Sequence, residues 1–227
     1  MRERRDRLYH RICAEMGYPR RGDRLARDYL ARRIGEAAVL PDLRAAAVTV
    51  CGAGPSLSDE LHQLDQADAV VTASTATDIV AAAGYPIDLM VTDLDKNPET
   101  AVRLTTEGVP VAVHAHGDNL ELLRRWLPRC DQRWVIPTTQ AGAIAAVMNP
   151  GGFTDGDRAA FLADRAGAAA LSFIGWDLDD ASVDADKRAK LRWAAVALLL
   201  LGAERGEEYG WIDATDPAVA ARWGQVR

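Results

Sequence analysis

The sequence predicts an α/β protein: a three-layer sandwich with a mostly parallel, Rossmann-like sheet, preceded by a short helical N-terminal segment. Three observations lead there. From residue 46 onward, short runs rich in Val, Ile and Ala alternate with amphipathic stretches, the grammar of βαβ units around a buried parallel sheet. The first forty residues carry helical spacing and no strand-like run. Glycine-rich or acidic strings follow several apolar runs, at the strand ends where such sheets bind ligands.

Two helices are expected first. Leu8, Ile12 and Cys13 share one helical face, as do Leu25, Tyr29 and Leu30, with Pro19 and Gly22 as punctuation and Pro41 ending the second helix. Strands are expected at 46–51, 69–73, 87–91, 109–113, 133–136 and 169–174. Helices are expected at 56–66, 75–84, 97–107, 118–127, 155–166 and 186–203. This organisation divides the chain into a basic helical segment, 1–43, and a catalytic α/β domain, 44–227.

Composition narrows the class. The 227 residues are 48% hydrophobic and 26% charged, which excludes a disordered chain. The longest apolar stretch, Trp193–Ala203, is well short of the ~20 residues that span a bilayer. The arginines at the start precede no apolar run, so no signal peptide is expected and the protein reads as cytoplasmic, with no membrane partner. Cys13, Cys51 and Cys130 are isolated and read as small buried hydrophobes. The net charge of −6 hides an asymmetry: residues 1–33 carry eleven arginines against five acids, and the remainder is acidic. Without interleaved aromatics this basic segment does not read as a nucleic-acid binder. It is expected to dock on the acidic body, to matter for assembly or solubility (a homo-oligomer is left open), and to be removable over residues 1–20 without disturbing the chemistry.

The strand ends carry the functional signal. Cys51-Gly52-Ala53-Gly54-Pro55-Ser56 suits a phosphate-cradling turn, or else a tight turn that only packs its helix. Its third dinucleotide glycine is missing and no P-loop string exists. Asp93 and Asp95 follow the third apolar run at i and i+2. On extended backbone they would project to one side, where their repulsion invites a hard divalent cation such as Mg²⁺. His114-Ala115-His116-Gly117-Asp118-Asn119 resembles a dinuclear zinc string but lacks its last histidine and any downstream imidazole. It reads better as a loop giving Asp118 and Asn119 to the same cleft, or as a helix cap. Gly151-Gly152-Phe153-Thr154-Asp155-Gly156-Asp157-Arg158 opens a helix whose N-terminal amides favour phosphate or simply accept a capping acid. Lys187, Arg188 and Lys190 stand at a helix start, against its dipole.

Taken in order, these strings resemble the archaeal 6-hydroxymethyl-7,8-dihydropterin pyrophosphokinase (MptE-like) family over residues 46–203. Thiamin pyrophosphokinases are more distantly similar. The segment from Asp177 to Asp184 departs from the family by being acidic. The resemblance implies diphosphoryl transfer from ATP to 6-hydroxymethyl-7,8-dihydropterin, releasing AMP, in folate or methanopterin biosynthesis. It implies Asp93 and Asp95 on Mg²⁺, with Asp118 or Asp155 completing the shell as catalytic carboxylates. Gly52, Gly54, Pro55, Ser56, His116, Asn119, Thr154, Arg158, Lys187 and Lys190 would contact ATP. By location after the second and fifth strands, Ser74, Thr75, Asp78, Thr139 and Gln140 are candidates for the pterin. A thiamin pyrophosphokinase-like enzyme, a D-x-D sugar-nucleotide glycosyltransferase and a non-catalytic nucleotide-sensing module remain as alternatives.

Overall fold

The computed structural model of the chain describes residues 2–35 and 38–227. Among these residues, β1 (Ala47–Cys51), β2 (Ala69–Ala73), β3 (Leu89–Thr92), β4 (Val111–Ala115), β5 (Val135–Thr139) and β6 (Ala170–Ile174) form one sheet. All neighbours are parallel, in the order β5-β4-β3-β2-β1-β6. The chain therefore steps outward from β1 to β5, then crosses back to lay β6 on the other side of β1.

Side-chain alternation sends each strand's residues to two different cores. Val48, Val50, Val71, Leu89, Val91, Ala112 and Ile136 pack against α7 (Asp155–Arg165) and α8 (Ala185–Arg205). On the opposite face, Cys51 and Val70 meet α3 (Leu57–Glu60) and α4 (Ala76–Ala82), while Met90, Val111, Val113 and Val135 meet α5 (Pro98–Thr106) and α6 (Leu120–Trp126). The chain leaves β1 toward one face and β6 toward the other. Adjacent strands whose connections diverge in this way open a crevice at their carboxyl ends.

The apolar runs located every strand, but β4 and β5 continue through Ala115 and Thr139, beyond the runs. Buried polar residues extend them because each finds a partner. His114 Nδ1 lies 3.0 Å from Thr138 Oγ1, and Thr139 Oγ1 donates to the Ala115 carbonyl at 3.2 Å. The expected helix at 56–66 is α3 followed by a 3₁₀ segment, Leu61–Gln66. A last helix, α9 (Pro217–Trp223), was not foreseen; Asp216 caps it by accepting from the Ala218 and Val219 amides.

The N-terminal helices are built into the body. Leu8 and Ile12 of α1 (Arg2–Met16) are buried in the same core as Val48, Val50 and the α7 and α8 side chains. Arg5 donates to the Pro150 carbonyl at 2.6 Å and to Glu204 of α8, whose side chain is only 4% exposed. In α2 (Arg20–Arg33), Gly22 lies inside the helix, which ends well before Pro41, and the buried face is Asp23, Ala26 and Leu30. Leu25, expected on that face, is exposed. The packing argues against the expectation that residues 1–20 can be removed, because they supply core side chains and a part-buried ion pair. No helix among the described residues is long and apolar enough to cross a membrane.

Candidate active site

The carboxyl ends of the strands open into one cleft of ≈ 450 Å³. It is lined by the turns after β1, β2, β3, β4 and β6, by Gln140 after β5, and by the N-terminal ends of α7 and α8. Among its lining carboxylates, Asp93, Asp95 and Asp155 lie close enough to act on one another's charge. Asp93 and Asp95 do not lie on extended backbone, as alternation would require: β3 stops at Thr92, and Leu94 between them has φ 68, in the left-handed region. The Thr92 hydroxyl accepts from the Leu94 amide at 2.9 Å, and Asp93 Oδ1 accepts from the Asp95 amide at 3.0 Å. These bonds hold a conformation that a leucine seldom adopts, and they fold the second carboxylate back onto the first.

The electrostatics follow from that crowding. Asp95 is raised to about 6 by partial desolvation and by the adjoining Asp93. Burial opposes the charge of Asp93 too, yet hydrogen bonds from His116 (Nε2 to Oδ2, 3.3 Å) and Asp95 hold its carboxyl well below the usual range. Asp155, at the first turn of α7, is pushed up to about 8 by burial and then by the charge of Asp93. Burial and mutual repulsion make these carboxylates costly to ionise together, a cost a hard cation would relieve. No group of three or more His, Cys, Asp or Glu among the described residues is spaced as a preformed metal cage.

Arg158 lies directly beneath, 2% exposed, donating to Asp155 Oδ1 at 3.0 Å and to the Phe153 carbonyl at 2.8 Å. Its guanidinium borders the cleft but is engaged in holding Asp155. The glycines ahead of it serve α7 itself: Gly152 has φ 81, and a Cβ there would sit 2.6 Å from the Arg158 Cα. Thr154 is likewise engaged, its hydroxyl donating to Asp157, which also accepts from the Thr154 amide at 2.8 Å.

Cations complete the cleft. Lys187 and Lys190 line it from α8, and Lys96, which sequence reasoning passed over, lines it from the turn after Asp95. The Lys187 ammonium is held below the ordinary lysine range by desolvation and then by Lys96 and Lys190, with Asp155 and Asp157 pulling the other way. Lys190 pairs with Asp186 at 2.6 Å.

The turn after β1 closes on the turn after β6. The Ser56 amide and hydroxyl both donate to Asp177 Oδ2, at 3.0 and 2.8 Å, and the Gly54 amide donates to the Gly175 carbonyl at 2.9 Å. A Cβ at Gly52 would stand 2.5 Å from the Gly175 carbonyl oxygen, and one at Gly54 would overlap the Asp177 carboxylate. The glycines thus let the β1 and β6 turns close on each other, and an internal carboxylate occupies the anion-binding amide. Gly52, Gly54 and Pro55 still border the cleft; Ser56 does not. Ser56→Ala is expected to lower stability by about 1 kcal/mol, one hydrogen bond, and to leave substrate KM values within about twofold. Thermal melts and steady-state kinetics check both, and a large rise in a KM would return the turn to substrate binding.

The loop after β4 is held from behind. Asn119 is buried: its Nδ2 donates to the Asp93 and His114 carbonyls at 2.8 and 2.6 Å, and its Oδ1 accepts from the His116 amide at 3.0 Å. It ties the β3 and β4 turns together and does not line the cleft, whereas His116 and the exposed Asp118 do. Asp23 of α2 is also buried, accepting from the Gly117 amide at 2.9 Å, from Gln140 Nε2 at 3.0 Å and from the Tyr9 hydroxyl. A Cβ at Gly22 would lie 2.6 Å from Gly117 Cα, so a glycine is what lets α2 reach this loop.

Of the residues expected near the second substrate, Ser74, Thr75 and Gln140 line the cleft. Asp78 lies outside it, accepting from Asn97 Nδ2 at 2.8 Å and Thr100 Oγ1 at 2.5 Å. Thr139 is fully buried in β5. Sequence reasoning also missed Tyr18, Asp23, Phe153 and Trp176, which border the cleft. Trp176 donates from Nε1 to the Val50 carbonyl at 3.0 Å, and Gly156 leaves room for its ring. Their only sequence signal was adjacency to a turn.

A family model for MptE-like 6-hydroxymethylpterin diphosphokinases matches residues 32–182. A curated 6-hydroxymethyl-7,8-dihydropterin pyrophosphokinase from Methanothermobacter thermautotrophicus is 38% identical over 181 residues, 77% of each chain. One of the same name from Pyrococcus furiosus is 37% identical over 177 residues, 75% of each chain. A third, from Methanocaldococcus jannaschii, is 32% identical over 139 residues, 57% of this chain and 58% of its own. The family match takes in all the strands and the turns that bear Asp93, Asp95 and Asp155, and it ends before Lys187. The chain belongs to the MptE-like 6-hydroxymethylpterin diphosphokinase family.

Proposed function

We propose that the protein transfers a diphosphoryl group from ATP to the hydroxymethyl oxygen of 6-hydroxymethyl-7,8-dihydropterin, with Mg²⁺, releasing AMP. The observation that carries this reading is the pairing of charges in one cleft: Asp93, Asp95 and Asp155 share it with Lys96, Lys187 and Lys190. Together they match a polyphosphate and its cation. The names of the relatives supply the acceptor.

In this reading the acceptor's alcohol oxygen bonds to the β-phosphorus, the bond from that phosphorus to the α–β bridging oxygen breaks, and AMP leaves with the bridging oxygen. The alcohol proton is lost to solvent or to a cleft carboxylate. Asp93 and Asp95 would hold Mg²⁺, with Asp155 or Asp118 beside them, and the cation when bound neutralises phosphate charge. The chain's own work is alignment and electrostatics, which dominate phosphoryl transfer. Arg158 holds Asp155 in place, Asn119 and Asp23 fix the β4 loop, and the three lysines attract the polyphosphate and offset its charge. Thr75 would contact the acceptor from the rim after β2, and Gln140, which donates to Asp23, from the rim after β5.

Mass spectrometry of the products from ATP, Mg²⁺ and 6-hydroxymethyl-7,8-dihydropterin tests the reading. Pterin diphosphate and AMP in equal amounts are expected. ADP as the nucleotide product, or turnover of thiamin in place of the pterin, would overturn it.

A further inference from the structure

Ser74, the residue directly after β2, combines two features that folding alone does not account for. Its φ is 49, in the left-handed region, where glycine would sit without strain. The residue is 8% exposed and among those lining the cleft, yet its hydroxyl, itself buried, has no hydrogen-bond partner. A turn needs neither a strained serine nor an unsatisfied hydroxyl, and both cost free energy.

The backbone around it is firmly held. The Ser74 amide donates to the Val91 carbonyl at 2.8 Å, and its carbonyl accepts from the Thr77 amide and from Asn97 Nδ2, both at 3.1 Å. Asn97 is itself 9% exposed and braced by Asp78, and its Oδ1 also lacks a partner. The chain from Thr100 through Asp78 and Asn97 therefore ends by fixing Ser74 against the turn that carries Asp93 and Asp95. Asp78, outside the cleft, acts as a positioning residue.

We infer that the Ser74 hydroxyl hydrogen-bonds the polar edge of the acceptor's heterocycle and is a specificity-determining residue for the acceptor alcohol. This rests on the diphosphoryl-transfer reading above. The position selects the acceptor over adenine by covalent distance. In ATP the base is separated from the β-phosphorus by ribose and the α-phosphate. In the acceptor, one methylene and one oxygen separate ring from phosphorus. A neutral polar group fixed beside the metal-binding carboxylates therefore meets the acceptor ring. The rim there, Ala73, Ser74 and Thr75, carries no charge, as an uncharged ring requires.

The test uses Ser74→Ala and Ser74→Gly, which remove the hydroxyl; glycine also relieves the left-handed strain. Both variants are expected to melt at or above the wild-type temperature. Each should raise the KM for 6-hydroxymethyl-7,8-dihydropterin about tenfold, the loss of one hydrogen bond, with the ATP KM within twofold. An unchanged acceptor KM in both variants overturns the inference while wild-type turnover leaves the parent reading standing. So does a rise in the ATP KM instead. A lower melting temperature in both would make the hydroxyl structural, against the inference. Wild-type protein that forms no pterin diphosphate would remove the parent reading and this one with it.

Discussion

Asp95→Asn is expected to cut diphosphoryl transfer by roughly 10²–10³-fold, the scale of losing one electrostatic contact to developing charge. The fold should be untouched or slightly more stable. Asp95 is exposed at the rim, and its carboxyl is raised to about 6 by partial desolvation and by the adjoining Asp93. Asparagine keeps the shape and removes the repulsion, so the free protein loses nothing that holds it together. What it loses is half of the paired charge that would bind a divalent cation. Turnover measured across a Mg²⁺ titration, beside a thermal melt, separates the two effects. Activity within twofold of wild type at saturating Mg²⁺, with an unchanged melt, would remove Asp95 from the chemistry.

Deleting residues 2–19 is expected to abolish folding. Leu8 and Ile12 leave the main core, and truncating a buried Leu or Ile costs roughly 2–5 kcal/mol each. Loss of Arg5, itself 21% exposed, leaves Glu204, 4% exposed, without its partner, a further cost below the about 3–5 kcal/mol of breaking a fully buried pair. Against a total stability of about 5–15 kcal/mol, the remainder should be insoluble or molten. Ile12→Ala is the milder probe: a clear fall in melting temperature with unchanged KM values, because Ile12 does not border the cleft. A soluble, cooperatively melting truncation would show that the helices only dock.

The helical segment shows why the sequence misled at this point. Its basic charge is plain, and solvated charge reads as surface. The residues that matter, Leu8, Ile12 and Asp23, are three among many arginines, and Asp23 is meaningful only because Gly117 and Gln140 arrive beside it. The glycine turn after β1 shows a related limit. Gly52-Ala53-Gly54-Pro55-Ser56 has the chemistry of an anion site, and it does bind an anion: the carboxylate of Asp177, which lies far along the chain.

The sequence by itself determined the six strands, the α/β class, the family and the turns bearing Asp93, Asp95 and Asp155, because strand burial and carboxylate clustering are written locally in residue order. Only the tertiary structure decided which polar groups remain available to a ligand. Asn119, Thr154 and Ser56 carry suitable donors, but those donors are engaged within the protein, and Arg158 spends its two terminal nitrogens on Asp155 and the Phe153 carbonyl, while Ser74 keeps a buried hydroxyl unpaired. A hydrogen-bonding group has limited valence. Whether it is already satisfied depends on neighbours that residue order does not reveal.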